Sequence, residues 1–255
     1  MLKINATYLN LLDRFRSTES TMEAIYCFHV RPAWQGEGIV MEALNGHRYG
    51  VFHDDEGDCD GLESVLIRPT AGMLKAFKVK TVDLGFKKKA EAKPVLCIEW
   101  EKRANDAIAA TSVKVCHQFS DDTFIPLYVE PNPGDVLQPY QFPNTEGFLA
   151  KRQSCHQPDV PAIHSMAFPA TEFGLFDFED KHTRGIILHP AGYEKPCFVT
   201  VLSHPNFLGV IMPMCLDHHS VSEAGSKALE LHKDFLPYLT LPTPAQPVTE
   251  TQAQQ

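Results

Sequence analysis

Two short runs of alternating character face each other across an Asn-Gly pair, and no other feature of this chain limits its fold so tightly. Ile39-Val-Met-Glu-Ala-Leu44 and His47-Arg-Tyr-Gly-Val-Phe52 flank Asn45-Gly46. Asn-Gly between two such runs is the strongest short-range hairpin signal, because both residues tolerate the positive φ of a tight turn. The region is predicted as an antiparallel hairpin. Near the other end, Gly209-Val-Ile-Met-Pro-Met214 reads as a short apolar strand stopped by Pro213.

The rest of the chain fills in around these two segments. Asn5 to Arg16 has helical spacing, with Asn5 as N-cap, Tyr8, Leu9, Leu12 and Phe15 on one face, and Arg14 and Arg16 near the C-terminal end. Ala24 to Arg31 is rich in aromatic and β-branched residues and predicts a strand. Glu63 to Arg68 predicts another. Pro69 then opens a second helix from Thr70 to Lys80, with Met73, Leu74 and Phe77 on one side. Lys87-Lys-Lys89 reads as an exposed loop. Strands follow at Pro94–Trp100, Ser112–His117 and Thr123–Val129, the last carrying Pro126, which suits an edge or a bulge.

After a proline-rich connection from Pro131 to Pro143, a shorter version of the order begins near Ala162. It contains a strand at Ser165–Phe168 and a helix at Pro169–Asp180, then strands at Arg184–His189, Cys197–Ser203 and Phe207–Met212. This alternation of helices and strand groups is an α+β pattern. Ser220 to Leu236 has helical spacing, and Pro242 to Gln255 is too poor in bulky apolar residues to fold alone.

The 255 residues suffice for one or two domains. No apolar run reaches the length of a membrane span, and Met1-Leu-Lys-Ile-Asn5 lacks a signal-peptide layout, so a cytoplasmic location is expected, with no membrane partner. None of the seven cysteines forms a C-x-x-C pair, which favours reduced thiols packed as small hydrophobes. The formal net charge of −9 argues against a surface that grips nucleic acid over its whole face. It leaves room for an acidic exterior with a locally basic interior.

Ala43-Leu-Asn-Gly-His-Arg-Tyr-Gly50 resembles the A-T-D-G-H-R-L-A stretch in the middle domain of bacterial DNA polymerase III β subunits, the sliding clamps. The segments around it resemble that domain in order: Asn5–Ser17 its first helix, Glu23–Val30 its first strand, Leu66–Lys75 its second strand-to-helix passage, and Phe142–Lys151 its exit segment. Val210-Ile-Met-Pro-Met214 resembles the V-V-M-P-M at the clamp terminus. The resemblance covers residues 1–216, in a chain too short for the three domains of a full subunit.

The resemblance implies DNA-clamp domains with antiparallel sheets backed by paired helices. It divides the chain into a clamp-like domain over 1–151, a shortened one over 152–219, an added helix over 220–241 and a tail over 242–255. It implies a processivity factor that needs neither catalytic group, metal nor cofactor, encircles double-stranded DNA as a homotrimeric ring, and holds a polymerase, clamp loader or repair protein through a short peptide. The peptide groove, carried over by motif position, would use Leu44, Tyr49, Ala150, Val210 and Met212. The DNA-facing cations would be Arg14, Arg16, Lys75, Lys78 and Lys80, which attract phosphates without direction and so permit sliding. His47 and Arg48 are expected to be structural, with Arg48 or His47 bonding across the hairpin, rather than to act as catalysts.

Two rival readings stand beside this one. A clamp-like adaptor or decoy would bind replication proteins without forming a ring. A metal-dependent hydrolase would use His53, Asp54, Asp55, Asp58 and Asp60, with the distant His218 and His219 as further candidates, although the loop lacks EF-hand spacing.

Overall fold

The computed structural model describes residues 1–33, 37–83, 89–104, 107–119, 123–145, 168, 170–178, 185–190 and 196–212. The chain divides into two units, Met1–Met214 and Cys215–Gln255, and every described residue belongs to the first. The helix expected over 220–241, the tail and the Met-Pro-Met end beyond Met212 therefore lie outside the described residues. So do Ala150, Lys87, Lys88 and the whole of 146–167, where the expected boundary at residue 151 falls.

The chain opens with strand β1 (Leu2–Asn5), helix α1 (Ala6–Leu12) and a helical turn α2 (Glu23–Tyr26). Strands β2 (Phe28–Pro32), β3 (Ile39–Leu44) and β4 (Arg48–Asp54) follow. The same order then recurs. Strand β5 (Val65–Ile67) leads into helix α3 (Ala71–Phe77), and a two-stranded ribbon, β6 (Thr81–Asp83) with β7 (Lys89–Glu91), precedes three strands. These are β8 (Pro94–Lys102), β9 (Ile108–Gln118) and β10 (Phe124–Val129). After β11 (Leu137–Gln138) comes a third set: helix α4 (Ala170–Phe173), then β12 (Ile186–Pro190), β13 (Cys197–Val201) and β14 (His204–Ile211).

The first two sets exchange their leading strands. β1 leaves its own set to pair with β8, and β5 leaves its own to pair with β2, both antiparallel. The result is a four-stranded sheet in the order β1-β8-β9-β10 and an eight-stranded sheet in the order β11-β5-β2-β3-β4-β14-β13-β12. Every pairing is antiparallel, as the hairpin implies, and the strands of the third set extend a sheet of the first. α1 and α3 touch each other; α1 packs on strands of both sheets and α3 on the four-stranded one.

Alternation explains which side chains go inside. On β8, Leu96 and Ile98 face the core while Val95 and Cys97 face away, as a strand's period of two requires. One continuous core takes Leu9 and Leu12 from α1, Phe15 from the turn after it, Met73 and Phe77 from α3, Phe28 and Phe52 from the first set, and Phe176, Phe207 and Ile211 from the third. No helix among the described residues is long and apolar enough to cross a membrane.

Several element limits differ from those predicted. The first helix ends at Leu12 rather than Arg16, although Asn5 caps it as expected, its side chain accepting from the Thr7 N–H at 3.0 Å. Ala24–Tyr26 is helical, not extended; the turn holds Tyr26 beneath the Arg16 guanidinium, 4.7 Å from its ring centre. Pro69 lies ahead of the second helix, because Thr70 is the cap that accepts from the Met73 N–H. The hairpin turn is centred on Gly46 and His47, one residue later than Asn-Gly predicts. Gly46 has φ of 93°, and the Asn45 carboxamide accepts from the N–H groups of His47 and Arg48.

Candidate functional site

The hairpin and the terminal strand, 165 residues apart at Leu44 and Gly209, meet edge to edge. β14 pairs with β4 in the register Leu208↔Val51, Gly209↔Gly50, Val210↔Tyr49 and Ile211↔Arg48. The Met212 N–H then donates to the His47 carbonyl at 3.0 Å, which seats the start of Met-Pro-Met against the hairpin turn. Two glycines oppose each other at the centre of this seam for a steric reason. A Cβ on Gly50 would stand 2.9 Å from the Phe15 ring, and one on Gly209 would stand 2.4 Å from the Phe176 ring. Their absence lets Phe15, Phe176 and Phe207 close over the inner face, with ring centres 5.5 to 6.2 Å apart.

On the other face of the seam, Tyr49, Phe198 and Val210 form a separate cluster, with Leu44, Val51 and Leu208 packed on it. Of the residues expected to line a groove, Leu44, Tyr49 and Val210 pack together, Met212 ends the strand beside them and Ala150 lies outside the described residues. Met212 is 41% exposed and Leu44 half-buried, whereas Tyr49 and Val210 are buried at 1% and 3% exposed. Val210 packs as core.

Tyr49 is held from below by an unforeseen group. Its hydroxyl donates to Glu42 Oε1 at 2.5 Å, and Thr145 donates to the same oxygen at 3.1 Å. Oε2 of Glu42 meets His29 Nδ1 at 2.7 Å and Arg31 Nε at 3.3 Å. Burial alone would raise the Glu42 carboxyl. The bonds from His29 and Tyr49, with the Arg31 charge, overcome it and bring the pKa down to about 2. The same arrangement pushes the Tyr49 hydroxyl well above its ordinary range, chiefly through burial and then the Glu42 charge. The sequence signal for this network was a lone carboxylate in the middle of an apolar strand, opposite His29.

The backbone of Arg48 bonds across the hairpin to Asn45, while its guanidinium reaches Glu172 on α4 at 3.5 Å and so ties the third set to the first. The expected DNA-facing cations divide sharply. Arg14 donates to the carbonyls of Leu175 and Asp177, at 3.3 and 2.6 Å. Arg16, 7% exposed, donates to Asp13 and to the carbonyls of Ser17 and Tyr26. Both arginines fasten segments of the protein to one another. Lys75, Lys78 and Lys80 are exposed on and beyond α3. A cleft of about 670 Å³ runs beside Lys78 and Lys80, which share its walls with Arg14, Asp13 and Glu91.

The acidic loop is dispersed among structural tasks. Asp54 accepts from the N–H groups of Asn5 and Glu56, Asp58 accepts from that of Asp60, and Asp60 takes the Trp100 indole N–H at 2.8 Å. Burial pushes the Asp54 carboxyl up. Among the described residues no group of three or more His, Cys, Asp or Glu side chains is placed to hold a metal ion.

No protein-family model and no curated protein matches the sequence. Solved structures do resemble the fold. A DnaN sliding clamp (DNA polymerase III subunit beta) from Bartonella birtlesii, bound to griselimycin, is similar at 12% identity and a TM-score of 0.49, over 84% of this chain and 66% of that one. The beta subunit from DNA polymerase of Streptococcus pyogenes is similar at 10% identity and a TM-score of 0.49, over 84% and 65%. The DNA polymerase III beta subunit from Thermotoga maritima shows 12% identity and a TM-score of 0.43, over 84% and 65%. The chain spans about 65% of the length of such clamps.

Proposed function

We propose that this protein is a sliding-clamp-like processivity factor, a scaffold without chemistry of its own that stays on double-stranded DNA and holds replication proteins through a short peptide. The observation that carries the reading is the β4–β14 seam. It brings the hairpin motif and the start of the terminal motif side by side, with Met212 exposed at the end of β14 and Tyr49 and Val210 buried beside each other. A flexible, polarizable thioether beside apolar side chains suits a groove that accepts several peptides. Ala150 belongs to the same proposed groove.

Ring closure as a trimer needs a further sheet edge, and β10 supplies one. It stands in the second set where β4 stands in the first. β14 covers β4, whereas the outer edge of β10 is open among the described residues and carries exposed Ile125 and Val129. A second reading, a clamp-like adaptor that forms no ring, is favoured by one observation. Arg14 and Arg16 are spent on internal contacts, which leaves the helix face only Lys75, Lys78 and Lys80 of the five expected cations.

Fluorescence anisotropy of a labelled clamp-binding peptide tests the groove. Wild-type protein should bind it, and Met212→Asp and Leu44→Asp should abolish binding while the circular dichroism spectrum is unchanged; equal affinity in all three would remove the groove. Tyr49 is a poor probe because its substitution breaks the Glu42 network. Sedimentation separates the two readings: a trimer retained on circular but not linear DNA supports the ring, and a monomer that still binds the peptide supports the adaptor.

A further inference from the structure

The two larger sheets end in four rim strands, β1 and β10 on one, β11 and β12 on the other. A rim with free backbone groups is a template for pairing with another chain unless something blunts it. Three of these rims are guarded. β11 is two residues long. β1 carries Lys3, whose N–H and carbonyl are already bonded to the backbone of Asp58, at 2.9 Å each. β10 contains Pro126 and shifts register beside it. β12, Ile186-Ile-Leu-His-Pro190, has none of these guards. It carries no Lys, Arg, Asp or Glu, and its one proline is its last residue. Its pairing with β13 runs unbroken from Ile186↔Val201 to Pro190↔Cys197, and its other edge is open among the described residues.

Both sides of β12 are unfinished. Leu188 pairs with Val199 of the core and so lies on the core side, yet it is 39% exposed. Ile187 pairs with Thr200 on the opposite side and is 45% exposed. The fold shows twice what covers such a strand. β2 and β8 hold the place in the first two sets that β12 holds in the third, and each is covered by an antiparallel strand from the other set. Each cover brings two aliphatic residues, two positions apart, to the core: Val65 and Ile67 on β5, Leu2 and Ile4 on β1. Ile186 and Leu188 of β12 have the same spacing, and Ile186 already packs against the core.

We propose that β12 pairs with β12 of a second copy, antiparallel across a two-fold axis, so that two eight-stranded sheets become continuous. A self-complementary contact uses the same patch on both copies and satisfies both open rims at once. Each copy then offers the other what β1 offers β8 and β5 offers β2: an antiparallel strand with aliphatic side chains at alternate positions and no charge to bury. β10 of a second copy would serve less well, since Pro126 has no N–H to donate and the register shift interrupts the ladder. The contact is separate from the seam of Leu44, Tyr49 and Val210 and from the β10 rim, and it needs neither DNA nor peptide.

A concentration series of the full chain by sedimentation velocity, without DNA or peptide, tests the pairing. The expected result is a reversible monomer–dimer equilibrium. Ile187→Lys, at an exposed side chain, brings two like charges near each other across the axis and should weaken the dimer about tenfold or more, with an unchanged circular dichroism spectrum. Val129→Lys, at the β10 rim, should leave the dimer as it is. Hydrogen exchange on the wild-type protein gives a second readout that no variant can confound. The Ile187–His189 stretch should gain protection as concentration rises, and Phe124–Val129 should not. A monomer at every concentration, a trimer, or a dimer that Val129→Lys breaks and Ile187→Lys spares would overturn the proposal. Peptide binding at the groove is a separate measurement, so the dimer and the scaffold reading stand or fall apart.

Discussion

β4 and β10 occupy equivalent places in two copies of one topology, and they meet opposite fates. β4 lies inside the eight-stranded sheet, covered by β14, with Tyr49, Gly50, Phe52 and Asp54 buried. β10 lies at the rim of the four-stranded sheet with no described residue of it buried. It contains Pro126, and its register shifts between Pro126 and Tyr128. Proline and a bulge are devices that blunt an edge. The order of elements is therefore the same in both sets, while the side chains record which edge is permanently occupied. A strand that a neighbour covers for good can afford opposed glycines and a buried carboxylate.

The strongest way to break this contrast is at Glu42, the carboxylate behind β4. Glu42→Ala should cost about 3–5 kcal/mol in denaturant unfolding, because it removes the charge that faces His29 and Arg31 in a buried setting. The network also predicts an acid transition. The folded carboxyl is depressed from 4.5 to about 2, so its stabilisation is complete above 4.5 and is lost as pH falls towards 2. The loss is on the order of 3 kcal/mol. Glu42→Gln should flatten that limb of the pH–stability curve; an unaltered limb would mean that another carboxylate governs it.

Next in size is the seam itself. Gly209→Val should cost about 1–3 kcal/mol through overpacking against Phe176, read as a lower midpoint of thermal unfolding. Smaller still are the two equivalent helix caps. Asn5→Ala should cost about 1 kcal/mol. Thr70→Ala should cost more, because its hydroxyl also donates to Glu130 Oε2 at 2.6 Å, and Glu130 in turn accepts from Tyr128. Equal losses would show that this added network contributes nothing. The smallest effect is expected at the open rim: Val129→Lys should change stability by no more than about 0.5 kcal/mol. If β10 is the contact between subunits, the same substitution should lower the sedimentation coefficient to that of a monomer.

The antiparallel fold was legible because its signals are local. The turn at Gly46, the Asn5 cap and the bulge at Pro126 each declare themselves within a few residues. The exchange of β1 and β5 between sets was not legible, since it depends on pairings such as Leu2↔Ile98 that no periodicity encodes. The candidate site divides the same way. The resemblance picked out Leu44, Tyr49 and Val210, which pack together, but depth is a tertiary property, and the Tyr49 hydroxyl bonds a buried carboxylate. The internal bonds of Arg14 and Arg16 were not legible for a related reason. A guanidinium near the end of a helix reads as solvated until a carbonyl such as that of Asp177 is folded against it.

The exchange of leading strands has a consequence for how the protein is made. Leu2 to Asn5 leave the ribosome well before Val95 to Ile98, their hydrogen-bond partners. At a synthesis rate of about 5–20 residues per second, the opening strand waits on the order of ten seconds with its backbone groups unmatched. Neither set can finish on its own while the other is still being translated, so the nascent chain commits late and as a pair.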